Sequence, residues 1–206
     1  MTKSIAKDVV VVATDHRGKK IHGAVVRFLR GRGKQVISLP HMDENDSYAD
    51  IARDACTYLE RGNADSAVLI DQFGSAVASV ANMFFGTVAM TAWSPHAAYE
   101  ITRKCNPNVL CIPAEDGAGG KISPEQAVAI VEKWVDTEFL EGVPEAEHDK
   151  YEGRDDENRR IHLGIIDGLL SGRRRLPSRQ IEPGDSTSSA KPTTDMLAHY
   201  DEYFEE

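Results

Sequence analysis

Asp15 and His16 follow directly on the apolar run Val9-Val-Val-Val-Ala13. A carboxylate beside an imidazole can accept hydrogen bonds from ligand hydroxyls and donate one to a phosphate. Gly18 lets a helix start close by, so its free N–H groups add to an anion site. The plainer reading is an N-cap aspartate followed by an exposed histidine. Asp71 ends another apolar run, Ser66-Ala-Val-Leu-Ile70. A carboxylate there has little packing use. Partial desolvation would raise its pKa towards that of a general base, while the alternative is a cap on the next helix. Gly74 and Ser75 open that helix and offer N–H donors to an oxyanion. Cys56, Cys105 and Cys111 read as small buried apolar groups rather than nucleophiles, and His96, just after Pro95, as a solvated helix residue.

Strands must carry these residues, and the continuous run Val9–Ala13 is the mark of one buried on both faces. Val9–Ala13, Gln35–Leu39, Ser66–Ile70, Thr87–Thr91 and Asn108–Ile112 are short apolar runs rich in β-branched residues. Helical spacing follows each: Ile21, Val25 and Phe28 stopped by Gly31-Arg-Gly33; Asp50–Arg61; Ser75–Phe85; Pro95–Lys104; and a helix opened by the capping box Ser123-Pro-Glu-Gln126. Five βα units in a row predict an α/β fold, a doubly wound, Rossmann-like five-stranded parallel sheet with helices on both faces. Ligands of such folds sit outside the carboxyl ends of the strands, which puts the loops at 14–18, 40–48, 71–75, 91–95 and 113–121 on one rim.

The pattern predicts an α/β domain over 1–140 and a helical extension over 141–172, with a helix at 158–170. A Ser-, Gly- and Pro-rich linker and tail follows over 173–206. The net charge of −9 disfavours nucleic acid and anionic membranes as partners, so any phosphate must be held by local donors. No run approaches the roughly 20 apolar residues of a membrane span, and no signal peptide is visible at the N-terminus. Three cysteines without C-x-x-C predict neither a disulfide framework nor a zinc finger, and fit a reducing, cytoplasmic setting.

Thr14-Asp-His-Arg-Gly18 through Gly33-Lys-Gln-Val-Ile37 resembles the opening of the ribose-5-phosphate isomerase B and galactose-6-phosphate isomerase family, which runs D-H-x-G, helix, G-x-x-V-I-D. Further matches follow in order. They are Ser47-Tyr48-Ala-Asp50, Gly62-Asn-Ala-Asp65, Val80-Ala-Asn82, Asn108-Val-Leu110 and Trp134-Val-Asp-Thr-Glu-Phe139, so the resemblance covers about residues 8 to 140. It implies metal-independent aldose–ketose isomerisation of a phosphorylated pentose, hexose or tetrose through an enediolate, without cofactor. Members are dimers or larger, with each site built at a subunit interface. A homodimer or tetramer, or pairing with a paralogous subunit, is therefore expected.

Carried over, Asp15 and His16 contact sugar and phosphate, Tyr48 lines the site, and Asn106 helps hold the enediolate. The family's ring-opening histidine falls at Cys105, and its phosphate-gripping arginines find their best counterparts in Arg159 and Arg160. Where most members open C-G-T-G-x-G with a cysteine base, this chain reads Asp71-Gln-Phe-Gly74-Ser75-Ala. The A subunit of galactose-6-phosphate isomerase is similar at that point. Asp71 then takes the place of the base, and Phe73 is expected to bury it. The alternative is a non-catalytic or hetero-oligomeric subunit that binds a sugar phosphate. A phosphorelay receiver also places acids after its first and third strands, but here no lysine follows the fifth strand until Lys121.

Overall fold

The computed structural model describes residues 3–41, 43, 46–115, 120–153, 157, 160, 161, 163, 164, 168 and 171. The chain divides into two units, Met1–Gly164 and Ile165–Glu206. Within the first, the described residues form strands β1 (Val9–Thr14), β2 (Gln35–Pro40), β3 (Ser66–Asp71), β4 (Ala89–Thr91) and β5 (Val109–Pro113). Between and after them run helices α1 (Lys19–Gly31), α2 (Tyr48–Glu60), α3 (Ser75–Ala81), α4 (Pro95–Cys105) and α5 (Pro124–Asp136). All strand pairs are parallel, in the order β2-β1-β3-β5-β4.

The runs of β1, β3 and β5 are buried because both of their faces meet a helix layer. β2 and β4 are the edge strands and are only partly covered. On one face Val10 and Val12 of β1, Val68 and Ile70 of β3 and Leu110 and Ile112 of β5 meet α1, α4 and α5, including the fully buried Trp134. On the other, Val11, Leu69 and Cys111 meet α2 and α3. The expected α/β class, parallel sheet and two-sided helix cover are all present. A receiver domain runs 2-1-3-4-5; here β5 inserts between β3 and β4, which rules that reading out.

Most expected bounds hold to within a residue or two, but α3 ends at Ala81 rather than at residue 85, and β4 begins at Ala89 rather than at residue 87. Two asparagines explain this. The Asn82 carboxamide accepts the Ala89 N–H at 2.8 Å and donates to the Ala89 carbonyl at 2.9 Å. Asn108 likewise accepts from Val88 at 2.8 Å and donates to Gly86 at 2.9 Å. These bridges pin the backbone of 82–88 as a strut, so neither helix nor strand continues through it. The expected capping box is present, with Ser123 and Gln126 opening α5. A second, which the sequence reading did not single out, is formed by Ser47 and Asp50, so that α2 starts at Tyr48 rather than at Asp50.

His22 of α1 is buried against β1 and β2, with Nε2 donating to the Val12 carbonyl at 3.2 Å. Burial lowers its pKa below 6.5. The unfolded chain therefore binds a proton that the native state refuses. The stability His22 contributes is complete above pH 6.5 and is lost as pH falls through its lowered value. Thermal melts from pH 7.5 to 5 are expected to show a falling Tm, and His22→Gln, which keeps a donor but cannot charge, to flatten that fall.

Of the helix expected at 158–170, Arg160, Ile161, Leu163 and Gly164 are helical in the first unit, as is Glu157 just before it. In the second, Gly168 is helical and its carbonyl accepts from the Ser171 hydroxyl at 3.4 Å. The rest of that helix, Arg159 included, and the linker and tail expected at 173–206 lie outside the described residues. No helix among the described residues is long and apolar enough to cross a membrane.

Candidate active site

The chain leaves β1 towards β2 on one side and returns past it to β3 on the other. The loops after β1 and β3 therefore diverge and open a crevice at the carboxyl edge, the switch point where such folds bind ligands. A cleft of about 250 Å³ lies there, lined by Asp15 and Arg17 after β1, Asp46 and Tyr48 before and at the start of α2, and Asp71 and Phe73 after β3.

Asp15 is buried and does cap the turn that follows it. Its Oδ1 accepts the N–H groups of Arg17 at 2.9 Å and Gly18 at 3.2 Å, and its Oδ2 pairs with Arg17 Nη1 at 3.1 Å. Capping and lining the cleft are thus compatible, because each carboxylate has several acceptor sites. His16 is half-buried on the same turn but does not line the cleft, and its Nδ1 is buried without a hydrogen-bond partner.

Asp71 is 4 % exposed, yet it lines the cleft. Its Oδ1 accepts the Gly74 N–H at 2.5 Å. Burial pushes its pKa above the usual carboxylate range. The amides of Gly74 and Val77 pull it back, the Asp15 carboxylate pushes it further up, and the Arg17 guanidinium pulls it down. Asp71 therefore combines both sequence readings, as a cap on α3 and as a desolvated carboxylate facing a pocket. Phe73, expected to bury it, stands 51 % exposed in the cleft wall. The burial comes mainly from the sheet: β3 lies between β1 and β5, and all six of its residues are buried.

Gly74 adopts φ 72°, and a Cβ there would meet Thr91 Cγ2 at 2.8 Å and Pro113 N at 3.1 Å. Its N–H is engaged by Asp71 and points to no free oxyanion site. Ser75 is exposed at the start of α3 and does not line the cleft. Tyr48 does line it, 48 % exposed. His41 steadies the loop before Tyr48: its ring nitrogens lie 3.4 Å from Asp46 Oδ2 and 3.4 Å from Asp54 Oδ2.

Cys105 and Asn106 are not brought to this cleft. They end α4 and precede β5, whereas Asp71 is in register with Pro113 at the far end of β5. At roughly 3.3 Å per residue that separation is about 20 Å within one protomer. Asn106 is buried at φ 48°, where its carboxamide accepts the Ile5 N–H at 3.0 Å and donates to the Lys3 carbonyl at 2.9 Å. It clamps the N-terminal segment, with Lys7 donating nearby to the Trp134 carbonyl at 2.7 Å. Asn106→Ala loses both bonds and keeps the left-handed backbone without asparagine's tolerance for it. A loss of about 2 kcal/mol is expected in urea melts, together with faster proteolysis of the N-terminal segment. Arg160 is exposed on its helix, and Arg159 lies outside the described residues.

Burial pushes the Cys56 thiol up to about 12 and the Cys111 thiol well above its ordinary value, as expected of core cysteines. Sequence reasoning missed Arg17, Asp46 and Gln72 as cleft residues. The available signal was topological: each belongs to a rim loop that the βα alternation had already singled out.

Residues 10–151 match the family described as Ribose/Galactose Isomerase. The chain is 29% identical over 137 residues to D-erythrulose-4-phosphate isomerase 2 of Mycolicibacterium smegmatis, covering 63% of this chain and 85% of that protein. It is 25% identical over 135 residues to the probable ribose-5-phosphate isomerase B of Mycoplasma pneumoniae, covering 65% and 86%. Among solved structures, it resembles ribose-5-phosphate isomerase B of Mycoplasma genitalium with bound ribulose-5-phosphate. The TM-score is 0.58 at 22% identity, over 82% of this chain and 97% of that one, a likeness of fold. The family match takes in the sheet from Val10 onwards, all three cleft acids and helices α1 to α5, so the chain belongs to the ribose/galactose isomerase family.

Proposed function

We propose that the protein interconverts an aldose and a ketose form of a phosphorylated sugar, with Asp71 as the base. The observation that carries this is a desolvated carboxylate in the wall of the same cleft as Asp15, Arg17 and Tyr48. In this reading the ionised Asp71 takes the proton from the carbon beside the carbonyl. The C–H electron pair forms the carbon–carbon double bond of an enediolate, and the carbonyl oxygen takes up the negative charge. Asp71 then returns the proton to the neighbouring carbon. The Tyr48 hydroxyl is the cleft group suited to move the proton between the two sugar oxygens. Burial strengthens Asp71 as a base, because its raised pKa lies nearer the operating pH.

The relatives named above act on four- and five-carbon sugar phosphates, which sets the first substrates to test. Incubation of the full chain with tetrose, pentose and hexose phosphates in deuterated water is expected to place deuterium on the carbon beside the carbonyl. Exchange only after a paralogous subunit is added would favour the second reading, a partner-dependent subunit. No exchange under either condition would overturn both.

A further inference from the structure

We propose that Arg17 grips the phosphate of the substrate, setting a positive charge beside the cleft's three carboxylates. The inference rests on the sugar-phosphate reading above. Three carboxylates, Asp15, Asp46 and Asp71, face a shared space of about 250 Å³. A phosphorylated ligand brings close to two further negative charges, and in a half-buried space such charges repel strongly. Among the described residues that line the cleft, Arg17 is the cation.

Its position suits the task. Arg17 sits on the single turn after β1, and its main-chain N–H is fixed by Asp15 Oδ1 at 2.9 Å, so the base of the side chain is held rigidly. Its Nη1 pairs with Asp15 Oδ2 at 3.1 Å, and the side chain remains 47 % exposed. A guanidinium carries five N–H donors in a planar fork, so one bond to Asp15 leaves an edge for two phosphate oxygens. Asp15 thus orients the fork, and Arg17 cancels part of the field that Asp15 exerts on Asp71. An alanine or valine in its place would leave three acids facing an anion.

The probe is inorganic phosphate at pH 7.5, measured by equilibrium dialysis on the full chain. Wild type is expected to bind it, Asp71→Asn to bind at least as tightly, and Arg17→Gln to bind about 10- to 100-fold more weakly. Arg17→Lys, which keeps the charge but loses the fork, is expected to fall between. Matched thermal melts check that each variant is folded, which the exposure of the side chain favours. With a phosphosugar, Arg17→Gln is expected to raise KM more than it lowers kcat. Phosphate affinity of Arg17→Gln within twofold of wild type overturns the proposal, and so does a wild-type chain that binds no phosphate. Phosphate binding that depends on Arg17 without any deuterium exchange overturns the isomerase reading and leaves this one standing.

Discussion

Asp71→Asn is expected to lower deuterium incorporation into the sugar phosphate by about three orders of magnitude, the range seen when a positioned general base is removed. The same substitution is expected to raise Tm at pH 7 to 8. Both effects come from one cause. Asp71 is buried, and burial together with Asp15 disfavours its charge, so its folded pKa lies above the unfolded value of 3.8. Between those two values the native state holds a proton that the unfolded chain has released. The stability tied to Asp71 is therefore complete below pH 3.8 and is lost as pH rises through the raised value. At neutral pH the ionised carboxylate costs stability, and it is the form that acts as base. Asparagine has the same shape and keeps an oxygen for the Gly74 N–H, so the cap on α3 survives while the charge is gone. For the wild type, exchange should fall as pH drops through the raised Asp71 value, above the ordinary carboxylate range. A stability gain of Asp71→Asn over wild type that does not grow as pH rises through the raised Asp71 value would contradict this account, as would an active Asp71→Asn.

Gly18→Ala is expected to destabilise the fold by about 3 kcal/mol and to slow exchange at least tenfold in the fraction that remains folded. A Cβ at Gly18 would meet Ile70 Cγ2 at 2.5 Å and Thr14 Oγ1 closer still. Thr14 and Ile70 are both fully buried on neighbouring strands, so neither can yield without moving the sheet. The turn must move instead. It carries the Gly18 N–H bond to Asp15 and the Arg17 pair, and it sets where Asp15 stands relative to Asp71. Gly23→Ala, later on α1, is the matched control. There the added methyl meets nothing closer than the flexible end of Arg27 at 3.4 Å. Removing a mid-helix glycine is expected to stabilise by about 0.5–1 kcal/mol and leave exchange unchanged. Urea melts and isotope exchange on the two variants separate crowding of the turn from any general effect of glycine replacement.

The local patterns of the chain determined most of the fold. Continuous β-branched runs can be buried only on both faces, so β1, β3 and β5 were legible as interior strands of a parallel sheet. Ser123 announced its helix because a capping side chain acts within three residues. The rim was legible too, since βα alternation sends every strand end to one edge, and Asp15 and Asp71 were found by that route, whereas Tyr48 came from the family resemblance. The motif residues Asn82, Asn108 and Asp65 illustrate what order along a chain leaves open. Asn82 and Asn108 brace the entry to β4, and Asp65 accepts the Val9 N–H at 2.8 Å, all away from the cleft.

Tertiary structure alone decided which polar residues meet. Asn106 and Asp71 are both polar residues next to strands, but one precedes β5 and the other is level with its end, so a strand length separates them within one protomer. Arg17 carried no signal of its own in sequence and became the cleft's cation only because β1 and β3 lie side by side with diverging loops. The pKa of Asp71 likewise depends on a neighbour 56 positions away and on the strands that flank it. Burial patterns and caps are short-range and survive in the linear order of residues. Electrostatic coupling depends on distance in space, which only the packed sheet sets.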